Sequence, residues 1–161
     1  MCAVLNHTDV KKIPFVIQEC IRMGLHVSAP DINTSVEQFS DCDQGIIYGL
    51  GVIKGMKQAD AQKIIQERSQ NGKYPDIASF LLRTDITEAA FEKMIRSGSF
   101  STFLKNRSFL LASMEKIIKT KNEVLKKQKA LSALNEEGSR KDVKKAKEQL
   151  ESLGIRDLKP T

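Results

Sequence analysis

The stretch GLGVIKGMKQADAQKIIQER, residues 49–68, constrains the fold of this chain more than any other. A short apolar run, Leu50, Val52 and Ile53, stops at Lys54-Gly55, and a helical pattern begins almost at once. Gly55 tolerates a backbone angle that a residue with a Cβ resists. Ala61, Ile64 and Ile65 then fall at i, i+3 and i+4, one face of an α-helix. The spacing predicts a short apolar helical turn, a tight hairpin, and a second helix from near Gln58 to near Arg68. The first N–H groups of that helix have no partners inside it, and its dipole adds partial positive charge at the same end. Lys54 and Lys57 flank the place. A phosphate there would be held by backbone amides and neutralised by the lysines.

The flanking segments read as helices joined by turns. KIPFVIQECIRMG predicts a helix with Pro14 in its first turn, Ile13, Ile17, Cys20 and Ile21 on one face, and Gly24 as a left-handed cap. LHVSAP alternates Leu25, Val27 and Ala29 like a short strand. GIIYGL reads as a second strand that pairs with the first in a hairpin-like element, with DINTS a turn between them. After the opening unit, Asp76 is a good N-cap for a helix that turns Ile77, Phe80 and Leu81 inward. RTDIT makes a turn, and Thr87 caps EAAFEKMIRSG, whose Phe91, Met94 and Ile95 are apolar and whose Gly98 lies past the end. Helix, turn, helix thus occurs twice, about 30 residues apart. Asn106 caps a long helix with Leu110, Leu111, Met114, Ile117, Ile118, Val124, Leu125 and Leu131 on its apolar face. Lys121 and Gln128 interrupt a strict heptad, which argues against a long coiled coil. A last helix follows Ser139, with Val143, Ala146, Leu150 and Leu153 on one face, packed antiparallel to the long one.

Charge is distributed unevenly. Residues 1–47 hold three Lys/Arg against six Asp/Glu, residues 48–110 ten against six, and residues 111–161 thirteen against eight, within a net charge of +6. An acidic front and a basic remainder point to an anionic partner for the remainder, although Lys-rich helices can equally be solvated faces. No apolar run approaches the roughly 18 residues of a membrane span, so no membrane partner is expected. Three scattered cysteines, Cys2, Cys20 and Cys42, fit a reducing, cytoplasmic setting and form no metal or disulfide framework. Asp31, Asp41 and Asp43 read as turn-forming residues whose side chains bond nearby backbone. His7 and His26 are lone surface or strand-end histidines. Gly49 and Gly51 mimic a nucleotide loop, but no strand-to-helix unit with a third glycine follows. No Ser-His-Asp set appears, so no catalytic residue is assigned.

The hairpin unit resembles the helix-hairpin-helix motif, which binds DNA through its backbone. Four ordered segments extend the likeness: CIRMGLHVSAPDIN, GIIYGLGVIKGMKQADAQKIIQER, YPDIASFLLR and FEKMIRSGSFSTFLKNRSFLLA. Over roughly residues 1–115 they are similar to the bacterial DNA polymerase III alpha subunit, at the end of its fingers and its tandem helix-hairpin-helix region. Where such hairpins tend to read Gly-hydrophobic-Gly, this chain has Lys57 at the second glycine. Its second hairpin looks shorter, and Glu88 stands about where a basic residue is common.

The resemblance implies a mainly α fold with a small strand pair near the N-terminus, then tandem helix-hairpin-helix, a long helix and a short antiparallel helix. It divides the chain into a fingers-like segment over 1–47, a DNA-binding module over 48–104 and a basic helical segment over 105–161. It implies a fragment of a replicative polymerase, not an enzyme on its own, that grips duplex DNA without sequence preference. Lys54, Gly55, Met56, Lys57, Gln58 and Ala59 would form the primary backbone contact. Thr84, Asp85, Ile86 and Thr87, with Lys93 and Arg96 nearby, would form a weaker second one. It implies no cofactor in these residues beyond a monovalent cation at the hairpin, the Mg²⁺ of the parent enzyme belonging to an absent palm. The partners implied are duplex DNA, the rest of the polymerase and replisome subunits. Two other readings stay open: a helical protein-interaction module in which the long and final helices dock a partner, and a free-standing nucleic-acid-binding protein.

Overall fold

The computed structural model describes residues 1–132 and residue 148. The helix expected after Ser139, its antiparallel packing and the tail lie outside the described residues. Six α-helices and three short strands appear among those described, in the order α1 (Cys2–Asn6), α2 (Ile13–Arg22), β1 (His26–Ser28), β2 (Ser40–Cys42), β3 (Gly45–Ile47), α3 (Gln58–Asn71), α4 (Ile77–Arg83), α5 (Glu88–Ser97) and α6 (Arg107–Ser132). A 3-10 turn at Leu50–Val52 precedes the first hairpin.

The mainly helical expectation holds, and the strand pair needs correction. The sheet has three strands in the order β1-β3-β2. β1 and β3 are parallel, with Val27 opposite Ile46, so they do not form a hairpin. The hairpin partner of β3 is β2, with Asp41 opposite Ile46. The segment Ser40–Cys42 lacks the alternating apolar pattern that marks a strand. Parallel strands need a long connection, here residues 29–44, which carries the chain across to β2 first.

Pro14 lies in the first turn of α2, and Gly24 takes a φ of +82° just past its end. Ile13 and Cys20 are buried as expected, but Ile21 is 59% exposed and Phe15 72%. The inward face of α2 runs instead through Ile13, Val16, Ile17 and Cys20, which pack with Leu5, Phe39 and Ile46 into a small N-terminal core.

A second, larger core surrounds Tyr74, Phe80, Phe91 and Phe100. Phe80 and Phe100 meet edge-on at 5.2 Å, and Phe91 and Phe100 at 5.4 Å. Ile32 from the N-terminal part and Leu110 and Ile117 from α6 belong to the same core. The Asp31 turn is tied down by its own side chain, which accepts from the Asn33 amide at 2.6 Å. Asn33 bonds the Tyr74 backbone on both sides, its Nδ2 donating at 3.0 Å and its Oδ1 accepting at 2.8 Å. Arg68 of α3 donates to the carbonyls of Ile32 and Ser35. Gly49 and Gly51 let residues 36–38 lie against them: a Cβ on Gly49 would stand 2.4 Å from the Gln38 backbone. They serve this close approach, with Leu50 N donating to Val36 O at 2.8 Å. The N-terminal part is thereby locked against the flank of the first hairpin.

Candidate nucleic-acid interface

The first hairpin closes through one backbone bond, Met56 N to Ile53 O at 2.9 Å. Gly55, third of the four turn residues, has φ +84°. A positive φ at that position is what a type II turn demands, and glycine supplies it without steric cost. Lys57, at the place of the expected second glycine, has φ −80° and ψ 138°. That is ordinary extended backbone, so no glycine is needed there.

Lys57 is also the N-cap of α3 and offers no side-chain cap. The amides of Lys57, Gln58 and Ala59 have no acceptor among the described residues, and Lys54, Gly55, Lys57, Gln58 and Ala59 are exposed. Unsatisfied donors, a helix dipole and two lysines therefore converge on open solvent. Nearby, the Glu37 carboxylate accepts from the Gln58 and Gln62 side chains, pinning the N-terminal part to the first turn of α3. Sequence reasoning missed Glu37, which lies in a loop with no periodic pattern.

Lys93 and Arg96 lie elsewhere than expected. Both are on α5, but they stand beside the first hairpin: a Cβ on Gly55 would be 3.1 Å from Lys93 Cε. Lys54, Lys93 and Arg96 line one cavity. Arg96 pairs with Glu92 at 2.8 Å, whereas Lys54 and Lys93 have no ion-pair partner among the described residues. The helical spacing puts Lys93 and Arg96 on a face distinct from Phe91, Met94 and Ile95, and only the tertiary packing says what that face meets.

The second hairpin is a covered one. Thr84 and Ile86 are buried, with exposures of 4% and 5%. The Thr84 hydroxyl donates to Phe80 O at 2.6 Å, and the Thr87 hydroxyl accepts from Ala90 N at 3.2 Å, capping α5. From above, α6 brings Lys121, itself only 4% exposed, whose ammonium reaches Ile86 O at 3.5 Å. Burial pushes the Lys121 ammonium below the ordinary lysine value, and the nearby Asp85 charge works against that shift. Asp85 and Thr87 are exposed, but Thr84 and Ile86 are spent in the core. Lys121, which reads in sequence as a break in an apolar stripe, lies where α6 covers this hairpin.

A family model described as a helix-hairpin-helix motif matches residues 24–110. The DNA polymerase III subunit alpha of Buchnera aphidicola subsp. Schizaphis graminum is 38% identical over 130 residues, 78% of this chain and 11% of that relative. Its counterpart from Buchnera aphidicola subsp. Acyrthosiphon pisum is 40% identical over 119 residues, 71% of this chain and 10% of the relative. That of Pasteurella multocida is 35% identical over 127 residues, 76% of this chain and 11% of the relative. The chain thus spans about a tenth of the length of the curated relatives it matches. No helix among the described residues is long and apolar enough to cross a membrane.

Proposed function

The chain belongs to the helix-hairpin-helix family, as the counterpart of one segment of the DNA polymerase III alpha subunit, and from that premise we propose that it holds duplex DNA by its phosphate backbone, without sequence preference, in the service of a replicative DNA polymerase. The observation that carries the proposal is the open first hairpin. Three amides with no acceptor, the α3 N-terminus, Lys54, Lys57 and Lys93 surround one exposed turn. Amides and lysines recognise phosphate and carry no information about base sequence. Templated nucleotide addition is proposed for the parent enzyme and rests on no residue described here. Oxygen donors suited to a monovalent cation lie at the same helix end: the carbonyls of Gly55 and Met56 accept no backbone hydrogen bond, and the buried Asp60 Oδ2 has no partner among the described residues. These residues would hold such an ion beside a phosphate.

The second hairpin is proposed as a structural support, with only Asp85 and Thr87 left at its surface. For the partners, the N-terminal part offers Val10, Phe15 and Met23, all exposed. Apolar residues concentrated in this way mark a protein-contact surface, proposed here for the rest of the polymerase. The interaction-module reading has the long helix and a final helix dock a partner; Leu110, Ile117 and Val124 on the apolar face of α6 are buried, and the final helix lies outside the described residues. Fluorescence anisotropy with two unrelated duplexes tests the proposal. Equal affinities, with Kd of about 10⁻⁴–10⁻⁶ M at physiological salt, support it; a strong preference for one duplex overturns it.

A further inference from the structure

Beside the first hairpin lies a cavity of about 540 Å³ between α2, β1 and α5. Its size falls within the roughly 300–1,000 Å³ of small-molecule sites. Its walls and its lip differ in chemistry. Ile21, Val27 and Tyr48 supply an apolar and aromatic surface, while Lys54, Lys93 and Arg96 stand together as cations. Glu92 answers only Arg96. An occupant must therefore join a flat or apolar body to an anion. Lys54 belongs to both the cavity and the hairpin turn, and Lys93 crosses Gly55, so the cations of the cavity continue those of the proposed phosphate site.

We propose that this cavity receives the base of an unpaired nucleotide adjoining the bound duplex, with its phosphate among Lys54, Lys93 and Arg96. The inference rests on the reading of the first hairpin as a duplex-backbone site. Every base presents a flat π-face to an aromatic or apolar wall, so such a pocket takes bases without strong preference, and cations track the phosphate. It also assigns a role to Ile21, an isoleucine that α2 turns outward instead of into the N-terminal core.

The test uses the full chain and three ligands at one salt concentration: a blunt duplex, the same duplex with a short single-stranded extension, and that duplex with an abasic extension of equal length. The abasic strand keeps the phosphates and removes the bases. The base-bearing extension should bind about tenfold more tightly than the abasic one, toward the low end of what a stacked base contributes. Ile21→Gln, at an exposed position, and Ala29→Trp, which fills the cavity from its exposed rim, should erase that difference and leave blunt-duplex binding within about twofold. Circular dichroism checks that both variants are folded, and Ile21→Gln alone suffices if Ala29→Trp is not. Equal binding of the two extensions by the native chain overturns the cavity proposal; if the blunt duplex still binds, the hairpin reading stands. Absence of blunt-duplex binding alone, with base-dependent and Ile21-dependent binding of the extended duplex retained, supports the cavity and removes the hairpin reading.

Discussion

Two hairpins of the same motif, about thirty residues apart, have opposite fates in this molecule. The turn at Ile53–Met56 buries Ile53 but exposes its central Lys54 and Gly55, pivots on that glycine with φ +84° and leaves the first amides of α3 without acceptors. The turn at Thr84–Thr87 contains no glycine, buries Thr84 and Ile86, caps α5 with its own threonine and takes a lysine from α6 on its carbonyl. The motif alone therefore does not make a phosphate site. Unpaired amides do not separate the two turns, since those of Glu88 and Ala89 at the start of α5 also have no acceptor among the described residues. The difference lies in charge and cover: lysines stand beside the first turn, whereas Glu88 stands beside the second, over which α6 lies. One hairpin is the one proposed for recognition, and its twin is the seat of a long helix.

The sharpest way to break this contrast is to cut into the second hairpin. Ile86→Ala should cost about 2–5 kcal/mol of stability, as expected for a large aliphatic side chain removed from a core, while the folded fraction keeps its affinity for duplex DNA within about twofold. Denaturant unfolding and anisotropy read the two effects separately. A large loss of affinity with little loss of stability would mean that the second turn is the binding one.

Gly55→Val should do both kinds of damage. A β-branched residue at positive φ costs of order 1–3 kcal/mol, and its Cβ would press on Lys93 Cε from 3.1 Å. Affinity should fall by tenfold or more. Unchanged duplex binding in a folded Gly55→Val protein would show that the turn geometry is not what DNA reads.

Thr87→Ala removes a cap whose hydroxyl accepts from Ala90 N. The loss should be about 1 kcal/mol, with DNA binding unaffected. A matching change at the other cap position, Lys57→Ala, should leave stability within about 0.5 kcal/mol, as at surface sites without special contacts, because Lys57 contributes no side-chain cap.

Lys121→Met gives the smallest effect and a sign that can be checked. The folded chain holds Lys121 below its ordinary value. In the window between the lowered folded pKa and the unfolded one near 10.5, the unfolded chain binds more protons. Stability from this group therefore rises with pH through that window and levels off above it. Lys121→Met should be near neutral in stability, since it keeps the apolar stem and removes a buried charge on a long bond. Urea unfolding from pH 8 to 10.5 should show a shallower rise than the native chain. A marked destabilisation at pH 7 would mean that the Ile86 carbonyl depends on the ammonium.

Much of this contrast is written locally in the sequence. Gly55 and Gly98 take the positive φ angles that their places past Lys54 and at the end of α5 call for. Asp76 and Thr87 cap α4 and α5, and Asn106 accepts from Phe109 N at the start of α6. These are contacts over three or four residues, which spacing reveals. The unread features depend on distant partners. β2 has no strand pattern and exists because β3 is there to pair with it. Ile21 has the spacing of a core residue, but it faces the cavity beside the hairpin. Lys93, Arg96 and Lys121 have ordinary helical spacing, and their roles come from which hairpin each helix packs beside.

The most direct measurement is the dependence of duplex affinity on salt for the native chain, Lys57→Glu and Asp85→Asn together. A glutamate at the start of α3 is compatible with the helix dipole, so Lys57→Glu should fold normally and change only recognition. The logarithm of affinity should fall with the logarithm of salt at a slope of about −0.9 per phosphate contacted. Lys57→Glu should bind more weakly on any duplex, with a slope shallower by about one contact, while Asp85→Asn stays within about twofold of the native chain. Native slopes and affinities in Lys57→Glu, or a large gain in affinity from Asp85→Asn, would contradict the assignment of the phosphate site to the first hairpin.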